Sequence, residues 1–154
     1  MDQNGHGAVQ LSQLIDTSKT KEGVWVQYQN TDFWVRVAYY GKPQMQRIFD
    51  EAKTTRINMR TLREEEEMDR PKFRRLYADQ VIKDWKGLTI GVLKTLVVLN
   101  ISSDLPESTE IGCTSENRQM LLEHSLEFDQ WLSGVTQRVD TFNEQKKEFE
   151  IKNS

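Results

Sequence analysis

The chain has 154 residues, 36% apolar and 29% charged, with a formal net charge of −3; that is one domain's worth of chain, with no general attraction to nucleic acid. No run approaches the ~20 consecutive apolar residues of a membrane span, and the opening MDQNGHGAVQ has neither the basic nor the apolar region of a secretory signal. The single cysteine, Cys113, excludes an internal disulfide and fits a reducing cytosol.

Residues 1–10, with Gly5 and Gly7 among polar neighbours, read as a disordered leader. Leu11, Leu14 and Ile15 follow i, i+3, i+4 and predict a short helical turn, and Thr17 to Gly23 is a polar connector. Next comes the clearest β signal. Val24, Val26 and Tyr28 fall on one face of a strand. Phe33, Val35, Val37 and Tyr39 fall on one face of a second, with Trp34, Arg36, Ala38 and Tyr40 on the other. Gln29-Asn30-Thr31-Asp32 supplies turn residues, so the two form a hairpin. A lone hairpin is marginal in water and must pack on something else.

Helical spacing follows. Pro43 suits a first helical turn, and Met45, Ile48, Phe49 and Ala52 form a stripe. Residues 53–68 are rich in Lys, Arg, Thr and Glu and read as solvated helix with a break near Asn58, a docking surface for a charged partner being the alternative. Pro71 opens another helix, with Phe73, Tyr77, Val81, Trp85 and Leu88 on its apolar stripe and Gly87 as its stop. Thr89 caps a short helix IGVLKTLVVL, although Val97-Val98 leaves strand open against helix over residues 95–101. Asn100 to Cys113 is a loop. Thr114 or Ser115 caps the next helix. Ser125 caps a long last one, with Phe128, Trp131, Leu132, Val135, Val139, Phe142 and Phe149 on its apolar face.

The expected fold class is α+β: an N-terminal β-hairpin packed against several α-helices, a long C-terminal helix and mobile termini. Residues 11–142 form the single domain, and 143–154 form a polar tail, helical or disordered.

No catalytic or metal constellation emerges. His6 lies in the leader, and His124 ends a helix where a cation favours the dipole. Cys113 has no activating base in its pattern. No phosphate loop, nucleophile elbow or metal motif occurs. Glu64 to Glu67 would point to different faces of a helix and so would not converge on a metal. RPKFRR sets basic residues beside Phe73, but the neighbouring acidic run opposes phosphate attraction. The chain is therefore not expected to be an enzyme, and it needs no cofactor. Four tryptophans default to core packing. Trp25 and Trp34, however, have the opposite parity to the main apolar sets of their strands, and with Tyr40 they are the candidate partner contacts.

The order of motifs resembles the tail assembly chaperones of long-tailed bacteriophages. LIDTSKTKEGVWVQY resembles that family's polar opening into a Gly-Val-Trp-Val strand. FWVRVAYYGKP is similar to its next strand and exit, with Lys42 where the family tends to have Asn. ADQVIKDWKG resembles its most recognisable stretch, a helix ending in Asp84-Trp85-Lys86-Gly87. IGCTSENRQMLL and LEFDQWLSGVTQRVDTF resemble its following segment and its terminal helix.

The five pieces lie in order over about residues 11–142. The resemblance implies a non-enzymatic factor of the bacterial host cytoplasm, absent from the mature virion. It would bind the tape measure protein, keep it soluble and help to recruit major tail protein, with a homo-oligomer left open. A structural tail or head-tail component is the alternative reading, and a small nucleic-acid-binding regulator the second. Trp85 is expected to be buried at the end of its helix.

Overall fold

A computed structural model of the chain describes residues 8–100 and 104–143. The expected leader up to residue 7, His6 within it, the tail from 144 onward, Phe149 and position 101 lie outside the described residues. A 3₁₀ turn at Leu11–Gln13 stands where the short helical turn was expected. The elements that follow are α1 (Ser18–Lys21), β1 (Val24–Gln27), β2 (Trp34–Val37), α2 (Lys42–Ala52), β3 (Lys53–Asn58) and β4 (Arg63–Met68). Then come α3 (Arg70–Val81), β5 (Ile82–Lys86), α4 (Ile90–Leu93), α5 (Ser115–His124) and α6 (Leu126–Gln137). The architecture is α+β, as expected.

The β1–β2 hairpin forms as its alternation requires. Val24, Val26, Tyr28, Phe33, Val35 and Val37 are buried. The turn is held by the Tyr28 amide donating to the Phe33 carbonyl at 2.8 Å. The Thr31 hydroxyl donates to the Tyr28 carbonyl at 2.6 Å and accepts from the Phe33 amide at 3.1 Å.

The hairpin gains a third strand, and here the structure corrects the sequence expectation. Ile82–Lys86, read as the end of a helix, is β5, antiparallel to β2 in a sheet of order β1-β2-β5. The helix reading failed because Tyr77, Val81, Trp85 and Leu88 keep helical spacing across the end of α3, while Ile82 and Trp85, three residues apart, are both buried. A strand would normally put them on opposite faces. The β2–β5 register shifts between Arg36 and Val37, pairing Arg36 with Asp84 but Val37 with Ile82. Lys83 is the extra residue of a bulge, and the bulge lets Ile82 and Trp85 both face the core.

The second correction concerns residues 53–68, which form an antiparallel ribbon, β3–β4, separate from the main sheet. Thr54, Thr55 and Ile57 are β-branched and favour the strand. Asn58 closes the turn: its side-chain oxygen accepts from the amides of Arg60 and Thr61, and its carbonyl accepts from Leu62 at 2.7 Å. Three of the four glutamates bond across the strands instead of along a helix: Arg56 Nε lies 3.3 Å from Glu67, Lys53 Nζ lies 3.4 Å from Glu66, and Glu65 accepts from the Asn58 side-chain amide at 3.1 Å. The ribbon is almost wholly exposed and its base is tied by the Asp69 amide to the Ala52 carbonyl.

The helices cover the inner face of the main sheet. Asp69 caps α3 by accepting from the Lys72 amide, with Pro71 in the first turn. Thr114 caps α5 and Ser125 caps α6, accepting from Asn117 and Phe128. The core between sheet and α6 is aromatic. Phe33 stacks on Phe128 at 5.8 Å, meets Trp85 edge-on at 5.9 Å, and Tyr28 meets Trp131 edge-on at 5.0 Å.

Thr89 caps α4, but α4 ends at Leu93. Residues 95–100, left open between strand and helix, are neither. The expected long C-terminal helix is interrupted: Arg138 takes extended backbone at φ −97°, ψ 124°. Residues 139–143 are again helical, with Thr141 and Phe142 buried.

Two expected results arise here. Ser125 is 1% exposed and belongs to the ends of both α5 and α6. Ser125→Ala removes the acceptor of the Phe128 amide and should cost about 1–2 kcal/mol in urea denaturation. Burial, then the Asp129 carboxylate, pushes the Tyr77 hydroxyl from its ordinary 10 up to about 12. The fold favours the neutral phenol, so this contribution is full below pH 10 and is lost as pH rises through 12. Alkaline titration followed by circular dichroism should show stability falling across that window.

Candidate interaction surface

The outer face of the main sheet follows from strand parity. While one set of residues packs inward, Trp25, Gln27, Trp34, Arg36, Asp84 and Lys86 point outward. They lie in two rows. One row is Trp25, Arg36 and Asp84; the other is Gln27, Trp34 and Lys86. The two tryptophans are diagonal neighbours, and both are half-buried. Lys86 Nζ sits 5.5 Å from the centre of the Trp25 ring, a cation–π contact.

The bulge adds Lys83 to the charged end of this face. Lys83 is half-buried, and its ammonium is held below the usual lysine range, first by burial and then by the Arg36 and Arg118 guanidiniums, with Asp79 acting against them. Arg36 Nε is buried and makes no hydrogen bond. Arg118 has its own partners, Asp79 at 3.2 Å and Cys113 Sγ at 3.3 Å. Burial raises the Cys113 thiol, with Arg118 acting against it, so it stays protonated at neutral pH.

Tyr40 is not brought to this face. It is 6% exposed, packs edge-on against Tyr77 at 4.9 Å, and its amide donates to the Thr136 carbonyl. Strand parity ends at Val37. The Ala38 amide donates to the Val81 carbonyl, and the chain then turns into α2, burying Ala38 and Tyr40 alike.

The Asp84–Gly87 stretch is a junction. The Asp84 carboxylate accepts from the Trp85 amide at 2.8 Å. Trp85 is 5% exposed, as expected, but it anchors a strand end and not a helix end; its indole donates to the Ile111 carbonyl at 2.8 Å. Gly87 has φ +76°, and its amide donates to Glu110 at 3.2 Å. The stretch thereby joins the hairpin turn, β5 and the 109–111 loop.

A second surface feature had no clear sequence signal. A groove of about 490 Å³ opens beside α5, lined by Trp85, Leu88, Val97, Ile111, Met120 and Leu121 among others. Only Val98 and Met120, apolar yet exposed, mark it from outside. Sequence reasoning placed Arg36 on the face of Trp34 but missed Lys83, which becomes its neighbour only through the β2–β5 register.

Among the described residues, no group of three His, Cys, Asp or Glu could hold a metal, and no helix is long and apolar enough to cross a membrane. His124 is exposed, with Nε2 3.9 Å from Glu123. The chain matches no family model, no curated protein and no solved structure. Chemically, this face combines aromatic area with an excess of cations over Asp84. Its chemistry is complementary to apolar and acidic groups. Nucleic acid fits it less well, because Lys86 occupies a face of the Trp25 ring and Asp84 lies among the cations.

Proposed function

We propose that this chain is a phage or prophage tail assembly chaperone. It binds the tape measure protein in the host cytoplasm, holds it soluble, helps major tail protein to assemble around it, and acts by binding without catalysis. The observation that carries the reading is the order of five family-like motifs over residues 11–142, with Asp84-Trp85-Lys86-Gly87 among them. The Trp25–Trp34 face supports it as a contact surface of suitable chemistry, since a long helical client exposes apolar faces before assembly.

Co-expression with the tape measure protein encoded beside it tests the proposal. The expected result is a soluble tape measure that co-purifies with the chain. A tape measure equally insoluble with and without the chain overturns it. Mass spectrometry of purified particles should find no copy of the chain; abundant copies would favour a structural tail or head-tail component.

A further inference from the structure

The β3–β4 ribbon pairs with no other described strand and is almost wholly exposed. Its tip lies about 20 Å of strand away from its base at Ala52 and Asp69. That tip is apolar. Ile57 is exposed, and Met59 and Leu62 are 82% and 75% exposed. Single exposed apolar side chains are ordinary, but these three stand within six residues on an element with no core to bury them in. Leu62 has φ +60°, a left-handed backbone that Gly or Asn adopts at less cost. Asn58 already closes the turn, so nothing in the turn calls for leucine. The charge of the tip is one-sided as well. Arg56, Arg60 and Arg63 surround the three apolar residues, and no acid lies between positions 56 and 63. Arg56 pairs with Glu67, while the Arg60 and Arg63 guanidiniums have no partner among the described residues.

The groove beside α5 has the opposite shape and the opposite charge. Buried Leu88 and Leu121 line it, and exposed Val98 and Met120 lie at its edge. Glu116 and Glu123 stand one helical turn to either side of Met120 on α5. Glu110 precedes Ile111, another lining residue. Glu116 has no partner among the described residues. The cations of this region are already held: Lys94 by Glu107 and Arg118 by Asp79. His124 also lines the groove, with Glu123 beside it. A protruding, apolar, cationic tip and a concave, apolar, acid-edged groove thus lie on one chain, and in solution each tip meets the grooves of other copies.

We infer that the ribbon tip of one copy docks in the α5 groove of a second copy, Met59 and Leu62 against Val98 and Met120, and Arg60 and Arg63 against Glu116 and Glu123. The contact is head-to-tail. Each docked copy still offers a tip or a groove, so assemblies grow into rings or open chains instead of stopping at a symmetric dimer. The Trp25–Trp34 face takes no part, and the inference does not rest on the chaperone reading.

Sedimentation velocity of the full chain should show an average mass that rises above the monomer as concentration approaches about 1 mM, the range for a contact of so few side chains. Met59→Gln with Leu62→Asn spoils the tip alone, and asparagine suits the left-handed backbone. Val98→Ser with Met120→Gln spoils the groove alone. All four side chains are exposed, so both double variants keep the fold, which circular dichroism checks. Each double variant by itself should stay monomeric. Mixed in equal amounts they should form two-copy assemblies and nothing larger, because the intact groove of one takes the intact tip of the other. A wild type that stays monomeric throughout overturns the inference. So does either double variant that associates as the wild type does, and so does a mixture in which no pairs form.

Discussion

Trp85→Ala should bring the protein to the edge of unfolding. The side chain is 5% exposed and meets the Phe33 ring edge-on at 5.9 Å. Truncating a buried tryptophan to alanine costs about 3–5 kcal/mol through lost burial and the cavity left behind. The substitution also removes the indole donor of the Ile111 carbonyl, a part-buried hydrogen bond worth about 0.5–1.5 kcal/mol more. Domains of this kind hold only about 5–15 kcal/mol in all. Urea denaturation should therefore show a midpoint shifted far down, or no native baseline. Trp85→Phe keeps a ring against Phe33 and loses only the bond to Ile111 and part of the area, so it should fold with a smaller loss. Wild-type melting of Trp85→Ala would place the residue outside the core.

Trp85 also shows how far the sequence carries. Its burial was legible, because a tryptophan on an apolar stripe packs inward whatever the element. Its secondary structure was not. The spacing of Val81, Trp85 and Leu88 reads as one continuous helix, whereas Ile82–Lys86 pairs with β2 through a bulge, and the bulge exists only because β2 offers an edge to pair with. The β3–β4 ribbon was misread for a related reason. Ion pairs such as Arg56–Glu67 and Lys53–Glu66 can form along a helix or across strands, so composition alone does not decide. What decides is local: β-branched Thr54, Thr55 and Ile57, and Asn58 closing the turn with its side chain.

Signals that are local and chemically specific were read correctly. Thr89, Thr114 and Ser125 each accept a backbone amide at a helix start. The β1–β2 hairpin followed from alternation that long-range contacts only reinforce. The candidate surface was half legible. Parity placed Trp25 and Trp34 outward, but the same rule carried one step too far put Tyr40 beside them. The same parity placed Arg36 beside Trp34, but the meeting of Arg36 with Lys83 gave no signal, since it depends on a strand far along the chain, an order of separation that periodicity cannot report.

Gly87→Ala should destabilise the protein strongly. Gly87 has φ +76°, where a residue with a Cβ is strained by about 1–2 kcal/mol. A Cβ there would also lie 2.0 Å from the Asp32 carbonyl oxygen, well inside contact, and the obstacle is backbone that no side-chain rotation relieves. Relief requires β5 to move away from the hairpin turn, which loosens the pairing of Trp34 with Lys86 and the Gly87 amide's bond to Glu110. Such overpacking adds about 1–3 kcal/mol. Gly134→Ala is the matched control. Gly134 lies within α6, where an added Cβ meets nothing within 4 Å, so alanine should stabilise by about 0.5–1 kcal/mol. Urea denaturation of the two variants should move the midpoint in opposite directions. Equal midpoints for Gly87→Ala and the wild type would mean that the Asp32 carbonyl does not lie against Gly87, and that the Asp84–Gly87 stretch does not join the hairpin turn to β5.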